Sequence, residues 1–397
     1  MTVHKTMQPP NSTGQWTEIH CDWFAEMQNY QNSLYKINFD GSPIVPMYGL
    51  VCSFGALANF IVLLAFVRTA NLRNLRNSFI VNLAFSDLIL CVVTAPVTLY
   101  TSLNLFWPFG DWSCKFLAGV QAVNTFVSSL TLAFIAMDRV LLTLCPVRWR
   151  LAATAPLLCY GVVWIISIIV ALPYALAVSS KLAPFDPWSD RATPKMLTYC
   201  NRQVPEICAE MQEAWDNAIV SKTTYTFVVL GIQYILPLAA LAYAYFQIGS
   251  TIQKRSKVSR TVDTTRRMQM QNRNRRALLL LFLLVLTYAV CWAPMNIYHV
   301  LNGLEIINYS QNMYIFCHLV GISSTCVNPI VYALVNESFR NALQSMILQF
   351  RPCYVTTTGT AATNVYAYSA TSKAENVTLM RDPFSTTPRP NERPDSV

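Results

Sequence analysis

Charge is what this chain has least of. Asp, Glu, Lys and Arg make up 12% of its 397 residues, against about 25% in a soluble domain, while 53% are hydrophobic and the mean hydropathy is +0.34. Histidine is limited to four residues, and neither an HExxH zinc motif nor a GxxxxGK[ST] phosphate loop occurs, so no catalytic constellation is available and an enzyme is not expected. No internal repeat is visible, which withholds support from an inverted-repeat transporter. A cleavable signal peptide is also missing: residues 1–43 are polar and lack an apolar core, so the first apolar run must do the targeting.

Long apolar runs are plentiful. Seven have the length of a membrane crossing: Ile44–Val67, Ser78–Tyr100, Phe116–Val140, Ala155–Val178, Thr223–Gln253, Ala277–Leu301 and Asn312–Leu334. Buried helices of a soluble protein are a poor alternative, because little polar sequence would remain to cover them. The expected fold is an all-α membrane protein, a seven-transmembrane helix bundle. Its regions read as a tail over 1–43, the bundle over 44–335, a short amphipathic eighth helix over 336–353, and a disordered tail over 354–397 rich in Thr, Ser, Ala, Asn and Pro. Phe339, Leu343, Met346, Ile347 and Phe350 recur at helical spacing in that eighth helix.

The charges that exist are sorted by side. Arg68, Arg73 and Arg76 follow the first span, Arg139, Arg148 and Arg150 the third, and nine bases against Asp263 lie between the fifth and sixth. Acids gather opposite: Glu18, Asp22 and Glu26 before the first span, and six between the fourth and fifth. Basic short loops face the cytoplasm, so the amino terminus is expected outside and the carboxyl terminus inside a plasma membrane. Topology accounts for the basic loop without a nucleic-acid partner. Asn11 is then an outer glycosylation acceptor, and Asn308 a second one close to the membrane; Asn336 and Asn376 fit the same triplet but fall inside. Among twelve cysteines, Cys114 and the loop residues Cys200 and Cys208 lie on the oxidising side. A bridge from Cys114 to Cys208, or alternatively Cys200, would pin the loop over the bundle and leave Cys21 to pair with the remainder. Cys353 is a candidate acylation site.

Asp87 is the acid placed within a span rather than at an end, where a lone carboxylate is costly. Asn124, Ser128 and Asn328 are its expected neighbours. It either anchors a buried ion, sodium in particular, with water, or serves as a protonated structural hydrogen-bonder. Pro96, Pro173, Pro237, Pro294 and Pro329 free backbone carbonyls in five spans. Two of them sit in longer motifs, CWAP (Cys291–Pro294) and NPIVY (Asn328–Tyr332), where Trp292 has the makings of a packing toggle and Asn328 and Tyr332 of hydrogen-bond exchangers.

Asn59, the NLAFSD ending in Asp87, Cys114, DRV at Asp138–Val140, Trp164, Pro237 with Tyr245, CWAP and NPIVY together resemble the rhodopsin-like G-protein-coupled receptors over about residues 44–350. The resemblance implies a heterotrimeric G-protein partner, with arrestin and receptor kinases acting on the same face. It also implies that Arg139 pairs with Asp138 at rest and turns to the G protein when the sixth helix swings out, with Val140, Tyr245, Asn328, Pro329 and Tyr332 in the same switch. One departure is Asn274 at the foot of the sixth helix, where some relatives carry an acid that clamps the arginine. A weaker clamp and appreciable basal activity are expected.

Gln121, two turns below Cys114, replaces the aspartate of amine receptors, and the seventh span lacks a retinal lysine. MDRV, Gln121, CAEMQEAW (Cys208–Trp215) and Ile315–Arg340 resemble receptors for neuropeptide Y, neuropeptide F and FMRFamide-like peptides, which supports Cys208 as the bridging cysteine. That group implies an extracellular peptide ending in Arg-Phe-amide or Arg-Tyr-amide and Gi/o coupling; a tachykinin-like peptide is the alternative. Gln121 and His318 are candidates for the amide, Asn296, His299 and Tyr100 for the cavity wall and Trp292 for its floor. The acid that takes the ligand arginine in neuropeptide Y receptors aligns with Gly303, leaving Glu305 or the loop acids Glu206, Glu210 and Glu213 to substitute.

Overall fold

The computed structural model describes residues 18–36, 42–73, 75–144, 155–183, 197, 201, 203–258 and 264–349. Seven helices in it are long and apolar enough to cross a membrane: Ile44–Arg68, Asn77–Leu103, Gly110–Leu144, Leu158–Ala177, Lys222–Thr251, Arg275–Gly303 and Gln311–Val335, here called spans one to seven. The third is the most buried, with 67% of its apolar window inside the protein, against 17% for the fourth. The third span is therefore the bundle's axis, and the fourth shows most of its surface to the surroundings.

The prolines explain how apolar rods find one another. A proline removes its own N–H and orphans the carbonyl four residues earlier, which must be satisfied in a membrane. Four residues before Pro237, the Gln233 carbonyl accepts the Tyr288 hydroxyl of span six at 3.1 Å. Four before Pro329, the Thr325 carbonyl accepts Asn59 Nδ2 of span one at 3.0 Å. Single π turns, Gly231–Ile235 ahead of Pro237 and Leu90–Thr94 ahead of Pro96, take up the extra backbone. Asn82 joins three spans, receiving Trp164 Nε1 at 3.2 Å and donating to Thr131 Oγ1 at 2.8 Å.

Close packing reaches its limit at Gly55. A Cβ there would lie 2.6 Å from Cys91 Sγ and 2.7 Å from Thr325 Oγ1. Gly55→Leu should destabilise the bundle by about 1–3 kcal/mol through overpacking, seen as a lower unfolding temperature in detergent; an unchanged temperature would mean that spans one, two and seven are not wedged there.

Three elements were not foreseen. Between spans four and five, β1 (Val178–Leu182) pairs antiparallel with β2 (Glu206–Glu210), Ser180 opposite Cys208. An isolated hairpin is marginal, and this one is tied down: Cys208 bonds to Cys114, and Asp111 Oδ1 accepts Ser179 Oγ at 2.7 Å and the Ser180 N–H at 2.8 Å. Ahead of span one, within the expected polar tail, lies α1 (Glu18–Lys36), whose Phe24 is buried among Phe106, Ala183 and Leu197. Third, span seven is two helices, Gln311–Ile322 and Ser324–Val335, broken at Ser323. The amphipathic helix beyond it runs Glu337–Gln349, with Phe339, Ala342 and Met346 buried and Ile347 exposed.

Candidate ligand and signalling site

The bundle has two chemically distinct ends, one carrying the Cys114–Cys208 bridge and the other Arg139. At the disulfide end the residues expected to line a cavity sort themselves by exposure. His299 is exposed, yet Tyr298 and Tyr314 ring it at 6.1 and 6.2 Å between centroids. Tyr298 is buried, with its hydroxyl on Ser310, so His299 and the half-buried Tyr314 form the accessible mouth of this end. Gln121 faces the same group, close to the Tyr314 hydroxyl. Tyr100 belongs to the rim, against Trp107 and Phe109. His318 is buried at 2% exposure, its Nδ1 bonded to the Tyr48 hydroxyl and its ring stacked between Tyr48 and Tyr314. Asn296 is buried too and spends its amide on the Trp292 carbonyl. These two stand behind the cavity surface. Glu305 is exposed in the turn after span six, at φ 58°.

Trp292 is the hinge of this layer. It meets His318 edge-on at 6.3 Å and packs so tightly on Gly321 that a Cβ there would come within 3.0 Å of the indole. On its other side it lines a small cavity with Asp87, Asn124, Ser128, Ser324 and Asn328. The expected neighbours of Asp87 are thus gathered: Asn328 Nδ2 donates to its Oδ2 at 2.8 Å, and Ser86 bridges Asn124 Oδ1 at 2.7 Å and Ser128 at 2.9 Å. Asn124 Nδ2 is buried with no partner among the described residues. A carboxylate, hydroxyls and an amide oxygen are hard donors of the type a small oxygen-loving cation takes, so the residues fit a sodium ion, and Asp87 with Ser128 would hold it. Its charge would offset the buried carboxylate.

At the other end Arg139 and Asp138 are 8% and 1% exposed and joined at 2.8 Å. Val140 packs in the main core. Tyr245 donates to the Leu278 carbonyl of span six at 3.0 Å. Tyr332 is fully buried against Phe339, and its hydroxyl has no partner among the described residues, a cost of about 1–3 kcal/mol that another arrangement of the helices could recover. Pro329 is buried one turn earlier. The side chain of Asn274 lies outside the described residues, as do Asn11, Cys200, Cys353 and the tail from 354. Two residues beyond Asn274, Arg276 pairs with Glu337 of the terminal helix, both more than half exposed. That contact, and the Tyr48–His318 layer, had no signal in the sequence, since each joins residues far apart along it.

A profile of the seven-transmembrane receptors (rhodopsin family) matches residues 58–332. The chain belongs to the rhodopsin family of seven-transmembrane receptors. This receptor is 34% identical to putative neuropeptide Y receptor 11 of Caenorhabditis elegans over 81% of either chain. It is 32% identical to the neuropeptide F receptor of Drosophila melanogaster, covering 82% of this chain and 66% of that one. With human neuropeptide Y receptor type 4-2 it shares 30% identity over 77% of this chain and 79% of the relative. Family and spans make it a multi-pass membrane protein that signals through a G protein, and no enzyme.

Proposed function

We propose that this receptor recognises a neuropeptide ending in an amidated Arg-Phe or Arg-Tyr and passes the event to a heterotrimeric G protein of the Gi/o class. The disulfide end then faces outside and the Arg139 end the cytoplasm of a plasma membrane, as the sidedness of the basic loops supports. The observation that carries the reading is the mouth: exposed His299 beside Tyr314, with Gln121 close to the Tyr314 hydroxyl, at the end of the bundle whose hairpin carries Glu206 and Glu210 on its second strand. Rings hold the terminal aromatic, and Gln121 donates to and accepts from the amide. His318 and Asn296 act from behind, by fixing Tyr314 and Trp292. The names of the relatives point to the same ligand class.

Peptide pressure on the Trp292 layer would reach the cavity in which Asp87 and Ser128 would hold a cation that offsets the buried carboxylate, and from there Tyr332, Tyr245 and Arg139. The Arg276–Glu337 pair is too exposed to lock span six firmly, in keeping with appreciable basal signalling. Arrestin and kinases would use the tail beyond 354, lipid the exposed faces of the spans and the terminal helix, Cys353 an acyl chain, and Asn11 a glycan.

The test compares amidated and free-acid forms of Arg-Phe and Arg-Tyr peptides on cells expressing the wild type or Gln121→Ala, reading G-protein activation. Amidated peptides should be potent, and the variant should lose about tenfold for the amide form with little change for the acid. Silence of every amidated peptide while another ligand class signals would reject the reading.

A further inference from the structure

The arginine of such a ligand needs a carboxylate, and the acids at the disulfide end are not equivalent. Glu213 is 82% exposed and held by Lys181. Glu206 Oε2 accepts the Ser180 hydroxyl within the hairpin, and Asp111 is filled by Lys115, Ser179 and Ser180. Glu305 stands out in solvent. Glu210, the last residue of β2, differs from all of these. Its side chain is 29% exposed, and its field reaches His299, Tyr174 and Tyr225, that is, spans six, four and five around the mouth.

Two groups hold Glu210. Oε1 accepts the indole N–H of buried Trp215 at 2.7 Å, and Oε2 accepts the Lys222 ammonium at 3.0 Å. The indole fixes the carboxylate; the ammonium balances its charge. Lys222 is 38% exposed and sits on the first turn of a helix that has no buried residue, so water is within its reach. A carboxylate offers about four acceptor positions, and a guanidinium engages it through two parallel bonds where an ammonium makes a single point contact.

We propose that Glu210 is the acceptor of the ligand's arginine and that Lys222 is its resident stand-in, displaced when the peptide enters. This rests on the peptide reading above and deepens it. In the empty receptor Lys222 neutralises the acid; on binding, the guanidinium takes Oε2 while Trp215 keeps Oε1. Lys222 is thus a competitor of the ligand, and the two partners of one ion pair have opposite effects on affinity.

That opposition is the test. Full-length receptor in cells is stimulated with a synthetic peptide ending in Arg-Phe-amide and with the same peptide carrying citrulline, the neutral isostere, in place of arginine. On the wild type the arginine peptide should be about 10–100-fold more potent. Glu210→Gln should erase that margin and leave the citrulline peptide unchanged. Lys222→Met should raise the potency of the arginine peptide by about three- to tenfold and leave citrulline unaffected. A loss with Lys222→Met, or an equal loss for both peptides with Glu210→Gln, would make the pair a structural strut and overturn the assignment. If Glu210→Gln fails to reach the surface, Lys222→Met with the two peptides still decides. If neither peptide activates the wild type, the peptide reading falls and this assignment with it; if both activate it and no contrast appears, this assignment alone falls.

Discussion

Arg139→Ala abolishes peptide-stimulated nucleotide exchange on the G protein, a drop of about 100-fold or more, while peptide affinity stays within about threefold of the parent. The separation follows from geometry. From Cys114 to Arg139 is 25 residues of one continuous helix, and at about 1.5 Å per residue the guanidinium lies roughly 37 Å from the disulfide. A change there cannot touch a ligand at the mouth. It does remove one partner of Asp138, and with it the cation that the resemblance assigns to the G protein, at about tenfold per 1.4 kcal/mol of lost charged hydrogen bonding. Purified receptor in lipid nanodiscs, with labelled-peptide binding and guanine-nucleotide exchange measured on one preparation, separates the two effects. Undiminished exchange would remove Arg139 from the mechanism.

The second large effect belongs to the other end. Cys208→Ser should unseat the β1–β2 hairpin and cost the outer layer about 2–5 kcal/mol, with surface expression cut severalfold and peptide binding lost on the fraction that matures. Besides the bridge, the hairpin is held by Asp111 and by the Trp107 N–H on the Glu206 carbonyl at 2.7 Å, contacts of about 1 kcal/mol each that do not replace it. Cys114→Ser should match it, since either change breaks the same bond. Were Cys208→Ser to bind peptide at the parent's affinity, Glu210 and the mouth could not depend on the hairpin's position.

The seven spans were legible because a membrane imposes length and hydropathy on a contiguous stretch, and the ends predicted for span one fall within one residue of the structure. The Asp87 group was legible too, because a costly buried carboxylate demands nearby polar partners, and Asn124, Ser128 and Asn328 line the same small cavity. Elements outside the membrane carried no comparable constraint. The helix Glu18–Lys36 does carry Ile19, Trp23, Phe24, Met27, Tyr30 and Leu34 at helical spacing, a signal masked by the polarity of the surrounding tail, and its docking depends on Phe106 and Leu197, far along the chain. The hairpin strands are five residues each, with a burial pattern that does not alternate. His318 illustrates the limit within the site. The resemblance placed it near the ligand, but its hydrogen-bond partner Tyr48 lies 270 residues away along the chain. The role of Lys222 was likewise hidden, since an ion pair across two elements leaves no pattern in either.

The relay itself is measured most directly as a distance. Spin labels at Asn272, near the foot of the helix that forms span six, and at Val67, at the end of span one, both exposed, report whether the Arg139 end opens. Addition of an Arg-Phe-amide peptide together with G protein should shift the pulsed dipolar distribution to longer distances, and the free-acid peptide should leave it in place. A distribution that stays fixed while nucleotide exchange accelerates would contradict the account, because signalling would then proceed without the movement that couples the mouth to Arg139.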